Sequence, residues 1–367
     1  MDVTDIKAAN VRKVLDTLRF SSGLTKREIA SDTGLSFSTV SNICNDLEEH
    51  RILYEVKSSD VTTVGRTPDR FYFHCAKYCS ICVELQRENL LSFAVLDFAN
   101  RCLFQTDRTV TAGDDLERWL DFIQATYRQL LQSGEFGEVE FVGIGISIPG
   151  IQDNASGEVI NVPYRSVDGV PLQQIVSRRI GLPCYVENEA NLCAVSMAQN
   201  RKEDKNLLYL LSSAGLGVGV ICEGRLLRGK NGYAAEIAHI PIGDPDLVCP
   251  FCGCRGCIEN DLAQRGMDAF GFPGLTPEET DRLARDRGRK LGELLAILIN
   301  LFDPQTVYLG GGGLKNYNQL APHALSVLEK RAPFALGKGV RIQYDADSVG
   351  TALRGINQLV YENWYPL

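Results

Sequence analysis

The sequence predicts two units of different class: a small α+β winged helix-turn-helix over residues 1–74, then a larger α/β unit of two similar lobes over residues 75–367. Three observations carry this. A capped helix, a glycine turn and a second capped helix stand near the N-terminus, followed by two short strand-like runs. From about residue 78 strands mix with helices, and a strand meander followed by helix and apolar strand occurs twice. A chain of 367 residues with 44% hydrophobic and 23% charged content suits two or three soluble globular domains.

In the first unit, Val11, Val14, Leu15 and Leu18 recur at helical spacing, and that helix stops before Ser21-Ser22-Gly23. Thr25 and Glu28 form a capping box, in which hydroxyl and carboxylate each satisfy an orphan backbone N–H. The short helix they open carries Ile29 and Ala30 inward and ends at Gly34. Ser36 caps a third helix through about Glu49. Helix, Gly-containing turn and helix make the helix-turn-helix pattern. On the third helix Val40, Ile43 and Leu47 are spaced to pack inward, while Phe37, Ser38, Ser41, Asn42 and Asn45 fall on the other face. Small hydroxyls and amides suit base edges and phosphates, and Asn can pair bidentately with adenine. Ser36, Phe37, Ser38, Ser41, Asn42 and Asn45 are therefore the candidate DNA contacts. Ile52–Val56 and Arg70–Phe73 read as two strands of a hairpin, the wing. Near its tip Gly65-Arg66-Thr67-Pro68 offers Arg66 to a narrow minor groove.

Charge gives this assignment no help. The net charge is −8, and residues 1–70 hold 10 Lys and Arg against 11 Asp and Glu. Phosphate contacts are local, so a few placed cations suffice.

In the second unit Cys79–Leu85, Leu91–Phe98 and Cys102–Thr106 form a meander, followed by a helix at Leu116–Gln132 and a strand at Phe141–Ile148. The plan returns as Leu207–Ser212, Val218–Cys222 and Arg225–Leu227, a helix near Arg289–Phe302 and a strand at Thr306–Leu309. The first lobe is expected over about 75–200 plus a C-terminal helix at about 346–363, and the second over about 201–345. A ligand cleft is expected between them.

No run reaches the ~20 apolar residues of a membrane span, and the N-terminus lacks the basic and apolar regions of a signal peptide. A cytoplasmic protein is the expectation. Eight of the 12 cysteines are scattered singly, most in apolar surroundings that suit small core residues. Cys249, Cys252, Cys254 and Cys257 crowd into nine positions, and in a reducing compartment such density points to a metal rather than to crosslinks.

Several glycine- and acid-rich motifs stand in a fixed order: Phe141-Val-Gly-Ile-Gly-Ile-Ser-Ile-Pro-Gly150, Val186-Glu-Asn-Glu-Ala-Asn191, Glu236-Ile-Ala-His239, Cys252-Gly-Cys-Arg-Gly-Cys-Ile-Glu259 and Val307-Tyr-Leu-Gly-Gly-Gly-Gly313. This ordered set resembles the ROK family of repressors and sugar kinases, built on a two-lobed actin-like ATPase fold. The resemblance runs from about residue 10 to the C-terminal helix and includes the winged domain of the repressor branch. It implies a DNA-binding transcriptional regulator, a repressor of carbohydrate-metabolism genes. Its partners would be double-stranded operator DNA and a sugar or sugar derivative as effector, with a homodimer, or dimer of dimers, on a palindromic site.

The resemblance also implies site residues. A structural Zn²⁺ would take His239 and three cysteines. The family's C-x-C-x4-C spacing becomes C-x2-C-x4-C here, which favours Cys249, Cys252 and Cys257, with Cys254 an extra thiol able to replace a neighbour. The sugar would meet Asn188, Glu189, Glu236, His239 and Glu259. Glu189 stands where the kinases carry their Asp general base, and its extra methylene displaces the carboxylate from proton-transfer geometry. Ala238 replaces a usual Gly. The kinases' Asp-x-Gly-Gly-Thr turn corresponds to Val83–Asn89, which has no glycine, and Ser213-Ala214 replace Gly-Thr ahead of Gly215, Gly217 and Gly219. Gly310–Gly313 remains. No catalytic residue is assigned, and no kinase activity is expected. A regulator controlled by a protein partner and an active ATP-dependent sugar kinase are the alternatives.

Overall fold

Helix α1 (Val3–Leu18) buries Val11, Val14, Leu15 and Leu18. In the computed structural model, which describes residues 3–57, 61–62, 65–66, 69–86, 90–110, 115–162, 167–200, 203–267 and 275–367, the expected capping box opens α2 (Lys26–Thr33). The Thr25 hydroxyl accepts from the Glu28 N–H, and the Glu28 carboxylate accepts from the Thr25 N–H at 2.7 Å. Gly34, at φ 69°, ends the helix in the left-handed conformation. Ser36 caps α3 (Phe37–Glu49), which buries Val40, Ile43, Cys44 and Leu47. Strand β1 (Leu53–Val56) is followed by the short pair β2 (Val61–Thr62) and β3 (Gly65–Arg66), and β4 (Arg70–Phe73) returns antiparallel to β1. Thr67 and Pro68 of the proposed wing tip lie outside the described residues, as does the placement of the Arg66 side chain.

The first lobe holds β5 (Tyr78–Gln86), β6 (Leu90–Asp97), β7 (Cys102–Thr109), α4 (Leu116–Gln132), β8 (Glu140–Ile148), the small hairpin β9 (Ile151–Gln152) and β10 (Val159–Ile160), α5 (Leu172–Ile180) and β11 (Cys184–Asn188). Its sheet runs β7-β6-β5-β8-β11, antiparallel on one side of β5 and parallel on the other. Helix α6 (Glu189–Asn200) leads to the second lobe: β12 (Leu207–Ser212), β13 (Leu216–Cys222), β14 (Arg225–Leu226), α7 (Glu259–Leu262), α8 (Gln264–Met267), α9 (Pro277–Phe302), β15 (Thr306–Gly310), α10 (Tyr317–Arg331), α11 (Pro333–Gly337) and β16 (Arg341–Asp345). This sheet runs β14-β13-β12-β15-β16 with the same strand senses, so the repeated plan legible in the sequence is one topology used twice. Helix α9 begins twelve positions before the expected Arg289. Its start carries a second capping box, Thr276 with Glu279, and Pro277 in the first turn.

Helix α12 (Ser348–Asn363) returns to the first sheet. Gly143 and Gly145 of β8 let it approach: a Cβ at Gly145 would sit 3.1 Å from the Ile356 carbonyl oxygen and run into the Ile356 side chain. Helix α6 lies on the second sheet in the same way, with Gly219 of β13 beneath Ala190 and Ala194. The two helices pack on each other, Gly355 against Leu192, and so form the layer between the sheets.

The winged unit does not hang free. Its core is continuous with Phe98, Tyr361 and Trp364 of the first lobe and the C-terminal end of the chain. Tyr78 and Phe98 pack at tilted angles around Trp364, at 4.7 and 5.2 Å between ring centroids. Tyr361 donates its hydroxyl to Asp16 at 2.7 Å, and the Arg12 guanidinium lies over the Tyr361 ring and donates to the Trp364 carbonyl. Arg19, only 4% exposed, donates Nε to the Phe98 carbonyl and Nη1 to Gln358 Oε1, and stacks 3.9 Å over Tyr361. Gln358 Oε1 also accepts from Gln199 Nε2 at 2.5 Å. One side-chain oxygen of α12 thus joins the end of α6 to Arg19, the residue that follows helix α1.

Candidate functional site: a polar cleft, a thiol cluster and a helical reading face

The outward face of α3 is built as its spacing dictates. Phe37, Ser38, Asn42 and Asn45 are exposed and Ser41 is half-buried. The Ser36 hydroxyl accepts the Thr39 N–H, so its first task is capping. Lys26, the first residue of α2, reaches this face and donates to Asn45 Oδ1 at 2.7 Å and Ser41 Oγ at 3.3 Å. Sequence reading missed Lys26 because it lies on a different helix.

Between the lobes is a cavity of about 380 Å³, and all five expected sugar residues, Asn188, Glu189, Glu236, His239 and Glu259, line it. Each arrives on a different device. Asn188 ends β11, where its Oδ1 accepts from the Ala190 and Asn191 N–H groups and caps α6, while Nδ2 donates to the Gly150 carbonyl at 2.8 Å. Its amide is largely spent on holding the helix start. Glu189 opens α6, where a carboxylate is favoured by the helix dipole. Glu236 and His239 stand on the irregular segment after β14, and Glu259, 3% exposed, opens α7. Asp261, two residues on and fully buried, accepts from Arg287 and from Lys290 at 2.9 Å on α9, which pins this turn.

Two cavity residues lay outside the sequence reading. Glu187 on β11 takes the Asn188 N–H and the Asn191 amide on one oxygen, and on the other takes Nε of Arg228 from the second lobe at 2.9 Å. Nearby, Tyr233 donates to Asp153 at 2.6 Å and Asn154 N–H to the Asn231 carbonyl at 3.2 Å. Hydrogen bonds from the Tyr233 hydroxyl and from the Ser156 and Ala155 N–H groups hold the Asp153 carboxyl down at about 2. These contacts clasp segment 228–233 across the cleft mouth. Glu187 was readable as part of the Val186–Asn191 motif, but its partner in the other lobe was not.

Beyond His239 lies the thiol cluster. The ligating atoms of His239, Cys249, Cys252 and Cys257 all fall within 4.8 Å of one another. Cys252 and Cys257 sulfurs are 3.5 Å apart, and His239 Nδ1 is 3.7 Å from Cys249 Sγ. Four ligands on a tetrahedral Zn²⁺ with bonds near 2.3 Å stand about 3.8 Å apart, so these residues fit such an ion. Gly253, at φ 73°, turns the Cys249–Cys252 knuckle back so that its N–H reaches the Cys249 carbonyl. Cys254 stays outside the cluster, its thiol exposed and directed at the Cys252 carbonyl. With Nδ1 facing the thiols, His239 keeps Nε2 for the cavity side.

The glycine run 310–313 serves packing. The Tyr209 ring fills the space over Gly310, Ser212 covers Gly311 and Gly313, and the Gln264 side chain would stand 2.9 Å from a Cβ at Gly312. Arg87, Glu88 and Asn89, expected to stand at the end of the kinases' phosphate turn, lie outside the described residues.

The chain is 28% identical over 341 residues to the xylose repressor of Caldicellulosiruptor bescii, covering 84% of each chain. It is 32% identical over 240 residues to the N-acetyl-D-glucosamine kinase of Vibrio cholerae, covering 58% of this chain and 78% of that one. Its fold matches the crystal structure of a ROK-family transcriptional regulator, a homologue of the Escherichia coli Mlc protein, with TM-score 0.81 at 19% identity and 97% coverage of both chains. The family model for the ROK family matches residues 81–271, and the chain belongs to that family.

Proposed function

We propose that this chain is a sequence-specific DNA-binding repressor of carbohydrate-metabolism genes, controlled by a sugar or sugar derivative in its cleft and without kinase activity. The observation that carries the reading is the physical continuity of its parts. Glu189 of the cavity opens α6, the far end of α6 meets α12 at Gln358, and Gln358 meets Arg19 of the winged unit. The working units are the winged domain, 1–74, the first lobe, 75–200 with the C-terminal helix, and the second lobe, 201–345.

A sugar offers hydroxyl donors, and Glu189, Glu236 and Glu259 supply acceptors while His239 Nε2 supplies a further polar contact. Closure on it draws segment 228–236 against β11 and shifts α6, then α12, then the winged helices. Two winged units of a homodimer would sit on a palindromic operator, and a change in their spacing lowers affinity because half-sites are fixed by the DNA turn. The ligand acts by binding one arrangement more tightly than the other. His239, Cys249, Cys252 and Cys257 would hold Zn²⁺, which supplies a structural tie between the cleft wall and its loop. The packed glycine run and Glu189 in place of Asp support a binding module rather than a transferase. Leu247, Val248 and Phe251, exposed on the thiol loop, favour the second reading, control by a protein partner. No helix of the described residues is long and apolar enough to cross a membrane.

The test starts by selecting bound duplexes from a random pool, then titrating the complex with D-xylose, D-glucose and N-acetyl-D-glucosamine. A sugar that raises the thermal midpoint and releases the duplex supports the proposal. Sugar binding that leaves DNA affinity unchanged sinks the effector role, and sugar phosphorylation with ATP–Mg²⁺ sinks the non-enzymatic reading.

A further inference from the structure

Asn45 is not free to read a base as an isolated asparagine would. The Lys26 ammonium stands 2.7 Å from its Oδ1 and 3.3 Å from Ser41 Oγ, and 4.9 Å from the Phe71 ring centroid, which holds the lysine against the winged core. An ammonium has donors and no acceptor, so the amide atom facing it has to be the oxygen, and the NH2 turns away. Recognition of adenine by Asn uses both amide atoms, the oxygen taking the N6 proton and the nitrogen donating to N7. One of the two lone pairs of Asn45 Oδ1 is taken by the ammonium, and a base donor approaching the other meets its positive charge. The ammonium and the Asn45 NH2 therefore favour adjacent acceptors over a donor, and the purine edge with two adjacent major-groove acceptors, O6 and N7, is guanine. Asn42, one turn earlier, is exposed, and its side chain has no hydrogen-bond partner among the described residues, so it keeps the full adenine-reading pair.

We infer that Lys26 and Asn45 act as one cationic, donor-biased reading unit that selects guanine over adenine at the operator base pair they face. The inference rests on the DNA-binding reading of α3 and is independent of the effector. In this unit Lys26 is a specificity-determining residue contributed by the helix that is otherwise the support of the reading helix.

The experiment is selection from a random duplex pool with the full chain and four forms of it: wild type, Asn45→Ala, Lys26→Met and Lys26→Arg. Asn45→Ala marks the facing position as the one where preference disappears. Wild type should favour guanine over adenine there by about fivefold to a hundredfold, the range of one good bidentate contact. Lys26→Met removes the charge beside Oδ1 and should move that position toward adenine while leaving the other positions unchanged. Lys26→Arg, still a pure donor, should keep guanine and shows that the change is not a folding defect. Adenine at that position in wild type would overturn the inference. So would a uniform loss of affinity in Lys26→Met with a salt slope lower by about one, the behaviour of a phosphate contact. If wild type enriches no sequence at all, the DNA-binding reading fails and this inference falls with it.

Discussion

Replacing Arg19 with methionine tests how the winged unit is held. The guanidinium is 4% exposed, so almost none of it is solvated in the native state, and burial pushes its pKa below the ordinary value. It satisfies the Phe98 carbonyl and one lone pair of Gln358 Oε1 and stacks 3.9 Å over Tyr361. Methionine keeps most of the apolar stem, so the loss is chiefly polar. A buried acceptor left without a donor costs about 1–3 kcal/mol. The Phe98 carbonyl bears that cost in full, Gln358 bears less because Gln199 still donates to it, and about 1–2 kcal/mol of cation–π attraction also goes. Recovered hydration free energy of the absent cation offsets part of this, which leaves a net destabilisation of about 2–4 kcal/mol. The assay is urea unfolding followed by fluorescence in a Trp119→Phe background, where Trp364, seated at the junction, is the sole tryptophan reporter. In a double-mutant cycle Arg19→Met and Gln358→Leu should be non-additive. A shift below about 0.5 kcal/mol would refute the reasoning, because it would mean that aromatic packing alone holds the junction and that the buried cation merely balances its own desolvation.

Three further outcomes follow from the same geometry. Gly145→Ala should destabilise the protein by about 1–3 kcal/mol in thermal or urea unfolding, since its Cβ meets α12, whereas Gly337→Ala, with open space around it, should be neutral or slightly stabilising. The Asp153 carboxyl should titrate at about 2 by carbon NMR. Because its folded value is depressed, the clasp to Tyr233 is complete above its ordinary 3.8 and is lost only as pH falls through about 2; Tyr233→Phe should raise the midpoint, and an unchanged midpoint would deny that hydrogen bond. Purified protein should release about one equivalent of zinc to a chelator, with a lowered thermal midpoint. Cys254→Ser should keep that equivalent and Cys257→Ser should lose it, and retention by both would exclude the assigned ligand set.

Local chemistry made much of this protein legible in its sequence. Capping boxes, the glycine ending α2 and the inward stripe of α3 act within one or two helical turns, so their residues are close in sequence wherever the chain folds. The meander strands of both lobes and the strands β8 and β15 were legible as strand-like runs, whereas β11 and the polar β16 were not read; the ordered motifs brought the cleft acids and thiol ligands into view. Helix α9 was read twelve positions short although Thr276, Pro277 and Glu279 announced its start, since its first turns are polar and carry no apolar periodicity. Asn188 was read as a ligand contact, while the fold also spends its amide on capping α6.

What only the tertiary structure decided lies between elements distant in sequence. Gln358 joining Gln199 to Arg19, Arg228 reaching Glu187, Lys26 capturing Asn45, and Tyr209 filling the space over Gly310 leave no periodic signal. Local sequence fixes which face an element turns inward, through side-chain period and backbone propensity. Which partner that face meets, and which donor reaches which acceptor, follows only when the chain has closed on itself and every buried polar group must find its match.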